Sequence, residues 1–205
     1  MSAAVPSHTR LPAAERRQAL VETALRMFSE RSYRGTTTAE IAREAGVSEP
    51  ILYRHFASKR DLYLACLDEA WRLLRAQWEE AIAAEPDPAK WISAIAKSYI
   101  CLRDAKPGAV ADLWMQAVVE AGDDPDVRKF LRRHMREVHD YMADVIRRVQ
   151  AAGVVNAERD AEAEAWISLA VGLLGTVGRR VGLLKDEDFE SIRASRREWM
   201  IGSSA

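Results

Sequence analysis

The stretch that decides the fold runs from Thr37 to Lys59 and reads TTAEIAREAGVSEPILYRHFASK. Thr37 precedes an apolar-periodic segment, and Glu40 follows three residues later. This capping-box spacing predicts a helix that begins at Thr38. Gly46 stands where the chain must turn sharply, because glycine adopts a left-handed backbone angle at no steric cost.

A second, shorter helix is predicted directly after that turn. Ser48 is an N-cap candidate, and Pro50 is tolerated within a first helical turn. The apolar or aromatic residues of this helix are Ile51, Leu52, Tyr53 and Phe56. Ser58 and Asp61 form a further cap signal, which predicts that a longer helix comes next. A helix, a tight turn and a short helix make a helix-turn-helix, whose second helix enters a DNA major groove.

The segment resembles the N-terminal domain of the tetracycline-repressor (TetR) family of bacterial regulators over roughly residues 16–64. The rest of the chain agrees with that family only in length and helical character. Ser32 replaces the glycine that usually ends the family's first helix, which predicts a strained corner, and Pro50 stands where glycine is common. The likeness rests on Phe28, Tyr33, Thr37, Ile41-Ala42, Ala45-Gly46-Val47-Ser48, Leu52-Tyr53, His55-Phe56 and Ser58-Lys59.

The resemblance implies an all-α protein with an N-terminal three-helix, helix-turn-helix DNA-binding domain and a C-terminal helical ligand-binding and dimerisation domain. The composition agrees, because Ala, Leu, Arg and Glu dominate and hairpin turn signals are lacking. We expect a disordered tail over residues 1–10, the DNA-binding domain over 11–58, and the helical ligand-binding and dimerisation domain over 59–205.

Apolar periodicity and Pro or Gly breaks predict the helices of the body. Pro12 is placed to open the first helix of the chain. A four-residue turn is predicted at 122–125, and three glycines spaced three apart, at 172, 175 and 178, are expected to let another helix approach closely. The predicted body helices span residues 59–84, 89–104, 109–121, 126–152, 160–184 and 187–201.

The formal charge of −1 hides an asymmetry along the chain. Residues 1–63 hold ten Lys or Arg against seven Asp or Glu, a basic excess that fits one DNA-facing end. No secretory signal or membrane-spanning stretch is recognised, so we expect a cytoplasmic protein. Cys66 and Cys101 lack CxxC spacing and are expected to be free buried thiols; a ligand-touching or redox-sensing thiol is the alternative.

Within the recognition helix, the Glu49 carboxylate is suited to accept from a cytosine amino group, and Ile51 to cover a thymine methyl. The resemblance implies phosphate contacts for Tyr53, His55 and Lys59. The alternatives are packing against Phe56 for Tyr53 and His55, a solvated acid for Glu49, and plain surface charge for Lys59. Backbone N–H groups near Thr36 and Thr37 attract phosphate. The DNA-binding candidates are Thr36, Thr37, Ser48, Glu49, Pro50, Ile51, Tyr53, Arg54, His55 and Lys59.

Six tryptophans lie in the body of the chain. Helical bodies often hold apolar cavities with a few convergent polar groups, and the resemblance implies such a pocket. Ordinary core packing is the alternative for each tryptophan. The pocket candidates are Trp78, Tyr99, Trp114, Met115, Gln116, His134, Tyr141 and Trp166.

The last two helices carry more apolar surface than one small domain needs. An isologous dimer interface would bury it, and the resemblance implies dimerisation at this position. A helix buried within the chain is the alternative. The interface candidates are Trp166, Leu169, Leu173, Val177, Ile192 and Trp199.

Enzyme signatures are weak, because His134 and His139 point about 140° apart on a helix and no phosphate-binding loop or nucleophile elbow occurs. We expect no cofactor and no metal. The sequence therefore predicts a homodimeric, ligand-responsive repressor that binds a pseudo-palindromic operator and is released by a small hydrophobic effector. The alternatives are a DNA-binding regulator without a ligand, and a small-molecule binding protein or enzyme that retains an unused helix-turn-helix.

Overall fold

The computed structural model describes residues 12–105 and 109–201, without the side chains at 99–112 and 179–180. The expected tail at 1–10 therefore lies outside the described residues, and so does the Cys101 side chain. Within the described ranges all regular structure is helical, which confirms the all-α prediction. The helices are α1 (Ala13–Arg31), α2 (Thr38–Glu44), α3 (Glu49–Tyr53), α4 (Lys59–Ala83), α5 (Trp91–Ala105), α6 (Ala109–Asp123), α7 (Pro125–Ala151), α8 (Ala161–Arg180) and α9 (Asp186–Ile201), with a 3₁₀ turn at Pro88–Lys90.

The described chain divides into two compact units. Unit 1 contains residues 12–72 and 109–116, and unit 2 contains residues 73–105 and 117–201. Helices α4 and α6 therefore each supply residues to both units. None of the described helices is long and apolar enough to cross a membrane.

The core of unit 1 is built on α1. Leu20, Ala24 and Phe28 recur at helical spacing and are fully buried, as their periodicity predicts. The Phe28 ring meets the Tyr63 ring of α4 edge-on at 5.1 Å, and Tyr33 lies 4.6 Å from Tyr63. The Tyr63 hydroxyl donates to the carbonyl oxygen of Leu113 at 3.1 Å.

Helix α7 forms the most strongly amphipathic element of unit 2, and it packs chiefly against α8. Its predicted apolar stripe is buried apart from Met135, which is half-buried. The pattern did not predict that His134 and His139 are both buried, which extends the buried face of α7 to two histidines. A histidine on that face needs hydrogen-bond partners or a shifted pKa, because burial disfavours its charged form.

Three predicted boundaries, which the sequence places only approximately, differ from those of the structure. Helix α5 begins at Trp91 rather than 89, because Asp87 caps a 3₁₀ turn by accepting from the Ala89 amide at 3.0 Å. Of the turn predicted at 122–125, only Asp124 lies outside a helix, because α6 continues to Asp123 and α7 begins at Pro125. The Asp124 carboxylate accepts hydrogen bonds from the first amides of α7. Helix α8 ends at Arg180 rather than 184, since Gly182 has a φ of +68°.

The spaced glycines of α8 behave differently from one another. A Cβ added at Gly175 would lie 3.3 Å from the Phe189 ring of α9, and one added at Gly178 would lie 2.6 Å from Leu184. At Gly172 nothing lies within 4 Å of such an atom. Close approach is therefore seen at two of the three glycines, and at Gly178 the neighbour is the segment that ends α8.

Candidate nucleic-acid interface

Helix α2 begins where the sequence predicts, at Thr38, and its capping box is complete. The Glu40 amide donates to the Thr37 hydroxyl oxygen at 3.2 Å, and the Thr37 amide donates to the Glu40 carboxylate at 2.9 Å. The Thr37 hydroxyl also donates to the Glu40 carboxylate at 2.7 Å, and this bond, with the one from the Thr37 amide, holds the pKa of the Glu40 carboxyl below its ordinary value. The supporting helix thus has a fixed first turn.

The turn between α2 and α3 depends on Gly46, whose φ of +69° is left-handed as predicted. The Val47 amide donates back to the Ala42 carbonyl at 2.9 Å, a bond that closes the C-terminus of α2. Ser48 then occupies the N-cap of α3, but its side chain makes no capping bond. Its hydroxyl is exposed and remains at the end of the recognition helix α3.

Packing beneath α3 anchors the recognition helix to unit 1. Leu52 and Phe56 are buried, and the Arg17 guanidinium lies 4.8 Å over the Phe56 ring. At the start of α4, the Asp61 amide donates to the Ser58 hydroxyl oxygen, and the Asp61 carboxylate accepts from the Ala57 amide. This reciprocal cap sets the position of Lys59, whose ammonium lies 4.4 Å over the Tyr33 ring.

The DNA-binding candidates differ in exposure. Thr36 is fully buried, and its hydroxyl donates to the Ser32 carbonyl at 2.9 Å, so its side chain is unsuited to contact DNA. Those exposed to solvent are Thr37, Ser48, Pro50, Tyr53 and Arg54, and those half-buried are Glu49, Ile51, His55 and Lys59.

Thr38, which sequence reasoning did not select, joins α2 to both ends of α3. Its hydroxyl lies 2.6 Å from the Glu49 carboxylate and 3.0 Å from the Tyr53 hydroxyl. Eleven residues separate Thr38 from Glu49, so no local pattern announces the contact. The only sequence signal is that Glu49 and Tyr53 are four apart and so share a face of α3.

The predicted pocket residues are divided between the two units. Trp114, Met115 and Gln116 belong to unit 1, where the Gln116 side-chain oxygen accepts from the Tyr33 amide at 3.1 Å. The side chain of Tyr99 lies outside the described residues. The remaining candidates, Trp78, His134, Tyr141 and Trp166, belong to unit 2.

The unit 2 candidates have specific partners. The Trp78 and Tyr141 rings lie 5.7 Å apart, and His134 stacks on Phe130 at 5.7 Å. Trp166 is 41% exposed and stacks on the buried His139 at 4.2 Å. That exposure suits a surface contact better than the wall of an enclosed pocket.

A small cavity of about 160 Å³ among the described residues lies elsewhere, in unit 1. Arg17, Gln18 and Glu69 line part of it, and Glu69 accepts from Gln18 at 2.9 Å and from Arg72 at 2.6 Å. Hydrogen bonding to Arg72 holds the pKa of the Glu69 carboxyl below its ordinary value despite partial burial. The cavity is polar and contains none of the predicted pocket residues.

One cluster of potential metal ligands occurs among the described residues, at His139, Asp140 and Glu162. Its groups are already engaged: the His139 ring nitrogens face the Asp140 carboxylate and the Glu162 carbonyl, and Arg147 pairs with the Glu162 carboxylate. Cys66 is also buried, which raises the pKa of its thiol, and its Sγ lies 3.6 Å from the Val21 carbonyl. This environment suits an inert core thiol rather than a reactive one.

The predicted interface residues lie on α8 and α9 of unit 2. Leu169 and Ile192 are half-buried, and the other four are exposed: Trp166, Leu173, Val177 and Trp199. The same two helices also expose Ile167, Leu174 and Ile201. Contiguous apolar patches on a surface mark interaction sites, and seven exposed apolar residues on two helices make α8 and α9 the candidate contact surface.

Two family models match the chain. The model for bacterial regulatory proteins of the tetR family matches residues 20–66, and the model for the C-terminal part of BetI-type transcriptional repressors matches residues 88–177. The HTH-type transcriptional activator FasR of Mycolicibacterium smegmatis is 52% identical over 58 residues, which are 28% of this chain and 26% of FasR. The HTH-type transcriptional regulator BetI of Rhizobium meliloti is 31% identical over 150 residues, covering 73% of this chain and 72% of BetI.

Solved structures show the same fold. A putative TetR-family regulator from Rhodococcus sp. superposes with a TM-score of 0.80 at 21% identity, covering 92% of this chain and all of the other. A putative regulator from Saccharomonospora viridis, solved in complex with choline, has a TM-score of 0.69 at 24% identity and covers 82% of this chain and 87% of the other. The match to FasR spans only about a quarter of the length of FasR.

Proposed function

The chain belongs to the TetR family of bacterial regulatory proteins and is a DNA-binding transcriptional regulator, and we propose that it is a homodimeric repressor released from its operator by a small hydrophobic molecule. The observation that carries the proposal is that α3 is held in place on its inner face and exposed on its outer face, as a recognition helix must be. Its first turn follows a left-handed glycine, its inner face is buried through Leu52, and Ser48, Pro50 and Arg54 are exposed. Such a helix is shaped to enter a major groove.

Dimerisation is supported by the apolar surface of α8 and α9. Two recognition helices related by a two-fold axis read a pseudo-palindrome whose half-sites lie about one DNA turn apart, roughly 34 Å. An isologous contact between two copies would cover Leu173, Val177 and Trp199 of each copy. A dimer thus accounts for both the exposed apolar residues and the expected operator symmetry.

The chemistry of the effector is constrained by arginines that cover aromatic rings of unit 2. Arg75 lies 5.5 Å over Tyr141, Arg148 lies 4.7 Å over Trp91, and further guanidinium groups lie over Phe130, Trp166 and Trp199. A quaternary ammonium ligand is held by aromatic faces of this kind, and here a cation already occupies one face of each ring. The arrangement favours a neutral or anionic hydrophobic effector over a quaternary ammonium such as the choline in the Saccharomonospora viridis structure.

The effector acts, in this proposal, by shifting a population. Helix α4 runs unbroken from Lys59 to Ala83, so one helix carries both the Lys59 end and residues of unit 2. A ligand that prefers one setting of this helix changes DNA affinity only by its differential affinity for the two settings, typically about 1–3 kcal/mol.

Selection of duplex DNA from a random pool by the purified protein, at near-physiological salt, tests the function. We expect a pseudo-palindrome, and weaker binding to it by a Lys59→Ala variant. The selected operator then serves in a release assay with choline chloride and with 1-anilinonaphthalene-8-sulfonate as an anionic aromatic probe. Enrichment of no sequence would contradict the proposal, and an operator that neither probe releases would favour a regulator without a ligand.

A further inference from the structure

A chain of three hydroxyl and carboxylate groups crosses the base of the recognition helix. The buried Thr38 hydroxyl lies between the Glu49 carboxylate, at 2.6 Å, and the Tyr53 hydroxyl, at 3.0 Å. Glu49 is the first residue of α3 and Tyr53 is the last, so one side chain of α2 engages both ends of the helix. The importance of this chain for DNA recognition rests on the proposed function of α3 as the DNA-reading helix.

The direction of these hydrogen bonds is set by the number of protons. A carboxylate only accepts, so Thr38 donates its single hydroxyl proton to Glu49. The Thr38 oxygen must then accept from Tyr53, because the 3.0 Å contact needs a proton and Thr38 has none left. The chain therefore runs from Tyr53 through Thr38 to Glu49.

This direction leaves only acceptors available on the two α3 side chains. The Tyr53 hydroxyl proton is donated to Thr38, so the phenol oxygen has only lone pairs to offer. Tyr53 as a residue is 47% exposed. The second oxygen of the half-buried Glu49 carboxylate likewise accepts. In the major groove, the donors that match acceptors are the N4 amino group of cytosine and the N6 amino group of adenine.

We propose that Thr38 is a specificity-determining positioning residue, which fixes Glu49 and Tyr53 as acceptors for base amino groups of the operator. Phosphate oxygens are themselves acceptors, so the Tyr53 hydroxyl cannot donate to one while it donates to Thr38. The prediction that Tyr53 contacts phosphate is replaced, in this proposal, by a contact to a base edge. Thr38 itself touches no DNA.

The test begins with operator selection by the full chain carrying Thr38→Val, which keeps the shape of threonine but neither donates nor accepts. We expect the wild type to demand cytosine or adenine at one position or more in each half-site. The valine variant should lose about 10-fold or more of that discrimination, while its affinity for scrambled duplex stays unchanged. Thr38→Ser retains the hydroxyl and should restore the preference.

Base analogues separate positioning from a merely structural role. At the preferred position, cytosine is replaced by 2-pyrimidinone or adenine by purine, each of which lacks the amino group. Wild-type affinity should fall about 10-fold with the analogue, and the Thr38→Val variant should be indifferent to the exchange. The losses of binding free energy from the Thr38→Val substitution and from removal of the amino group would then not add. This non-additivity would show that the Thr38 hydroxyl and one amino group on the DNA act together.

Three results would overturn the proposal. Equal losses in wild type and Thr38→Val on removal of the amino group would mean that the hydroxyl does not position the acceptors. Uniform weakening of Thr38→Val on selected and scrambled duplexes, with unchanged base preference, would assign Tyr53 to phosphate or Thr38 to fold stability. If the wild type itself enriches no sequence, the proposed function fails as well, and that failure is visible before any variant is compared.

Discussion

Ser32 is the residue at which the backbone departs most clearly from ordinary geometry. Its φ of 76° and ψ of 162° lie in a region used almost only by glycine, and it is the one non-glycine residue with positive φ among those described. The sequence-based expectation of a strained corner is thus confirmed. The Ser32 hydroxyl also accepts from the Gly35 amide at 3.2 Å, which recovers part of the cost.

Replacing Ser32 by glycine should therefore stabilise the protein. Relief of about 1–3 kcal/mol of strain exceeds the loss of one exposed hydrogen bond and the added freedom of the unfolded chain, leaving a net gain of about 1 kcal/mol. Urea unfolding measures the change. Ser29→Gly, three residues earlier within α1, should instead lose stability, and a destabilised Ser32→Gly would show that the corner is not strained.

Lys59 offers a prediction about DNA rather than stability. Its ammonium lies over Tyr33 at the capped start of α4, which holds the charge near the recognition helix. Lys59→Ala should weaken binding to selected and scrambled duplexes alike and lower the slope of log affinity against log salt by about 1. Lys90→Ala, in unit 2, is the matched control; an unchanged slope for Lys59→Ala would leave this lysine without a phosphate contact.

His134 makes the fold sensitive to acid. Burial, together with the charge of Arg133, lowers the pKa of its imidazole to about 4, so the folded protein binds its proton less readily than the unfolded chain. Stability is unaffected by this group above pH 6.5 and falls as the pH drops from about 6.5 towards 4, by up to about 1.4 kcal/mol per pH unit.

Urea unfolding of the wild type and of His134→Leu across that range isolates this contribution. The difference at pH 7 reports packing alone, and its change towards pH 4.5 reports the titration. We expect the leucine variant to gain stability relative to the wild type as the pH falls. A constant difference between the two proteins would contradict a lowered pKa.

At the scale of elements, one carboxylate ties α8 to α9. Glu164 is buried, pairs with Arg196, and accepts from the Trp199 indole at 3.0 Å. Burial alone raises the pKa of this carboxyl, but the hydrogen bonds from Arg196 and Trp199 bring it below its ordinary value. Its stabilising effect is therefore present above about pH 4.5 and is lost as the pH falls further.

Glu164→Gln should cost about 2–3 kcal/mol at pH 7, because it leaves Arg196 uncompensated in a partly buried site. The cost should shrink in acid, where the wild-type carboxylate is itself protonated. Glu162→Gln is the matched control: that residue also pairs with an arginine, Arg147, but is exposed, and its loss should cost less than about 1 kcal/mol. Equal costs for the two variants would contradict the role of burial.

The elements that could be predicted from sequence are those whose ends carry their own caps. Thr37 with Glu40, Gly46, and Ser58 with Asp61 act within a few residues of the chain, and each lies where its pattern indicates. The end of α8 carries such a local signal in Gly182, which the predicted boundary ignored, whereas the packing of Leu184 onto Gly178 depends on the tertiary fold and could not be predicted.

The same distinction applies to the candidate site. Exposed positions of α3 follow from helical periodicity, whereas the Thr38 contacts do not, because they join helices that only the tertiary fold brings together. Thr36 is predicted from the backbone N–H groups near it, and only the tertiary structure reveals that its own side chain is buried. In unit 2, Arg133 and Phe130 are three apart on α7, so their contact follows from spacing, whereas the contacts of Arg75 with Tyr141 and of Arg148 with Trp91 do not.

At the scale of the whole molecule, the proposed dimer would decide how the operator is read. Leu173→Glu combined with Val177→Glu places charge among the exposed apolar residues of α8 and should yield a monomer at micromolar concentration in sedimentation experiments. Affinity for a two-half-site operator should fall towards that for a single half-site. Val119→Glu, at a more exposed valine of α6, should leave the assembly intact. A double variant that remains dimeric would place the interface elsewhere.

Helix α6 has a consequence for how such proteins exchange parts. Leu113 is buried in unit 1, and its carbonyl oxygen accepts a hydrogen bond from the Tyr63 hydroxyl. The side-chain oxygen of Gln116 accepts from the Tyr33 amide. The DNA-binding unit is therefore completed by residues that lie some forty positions beyond its continuous segment. A graft of the first 72 residues onto a relative's body would leave those partners behind. Recombination between family members can transfer the DNA-binding unit intact only when residues 109–116 are transferred as well. The unit is therefore a discontinuous module and cannot be exchanged as one continuous segment.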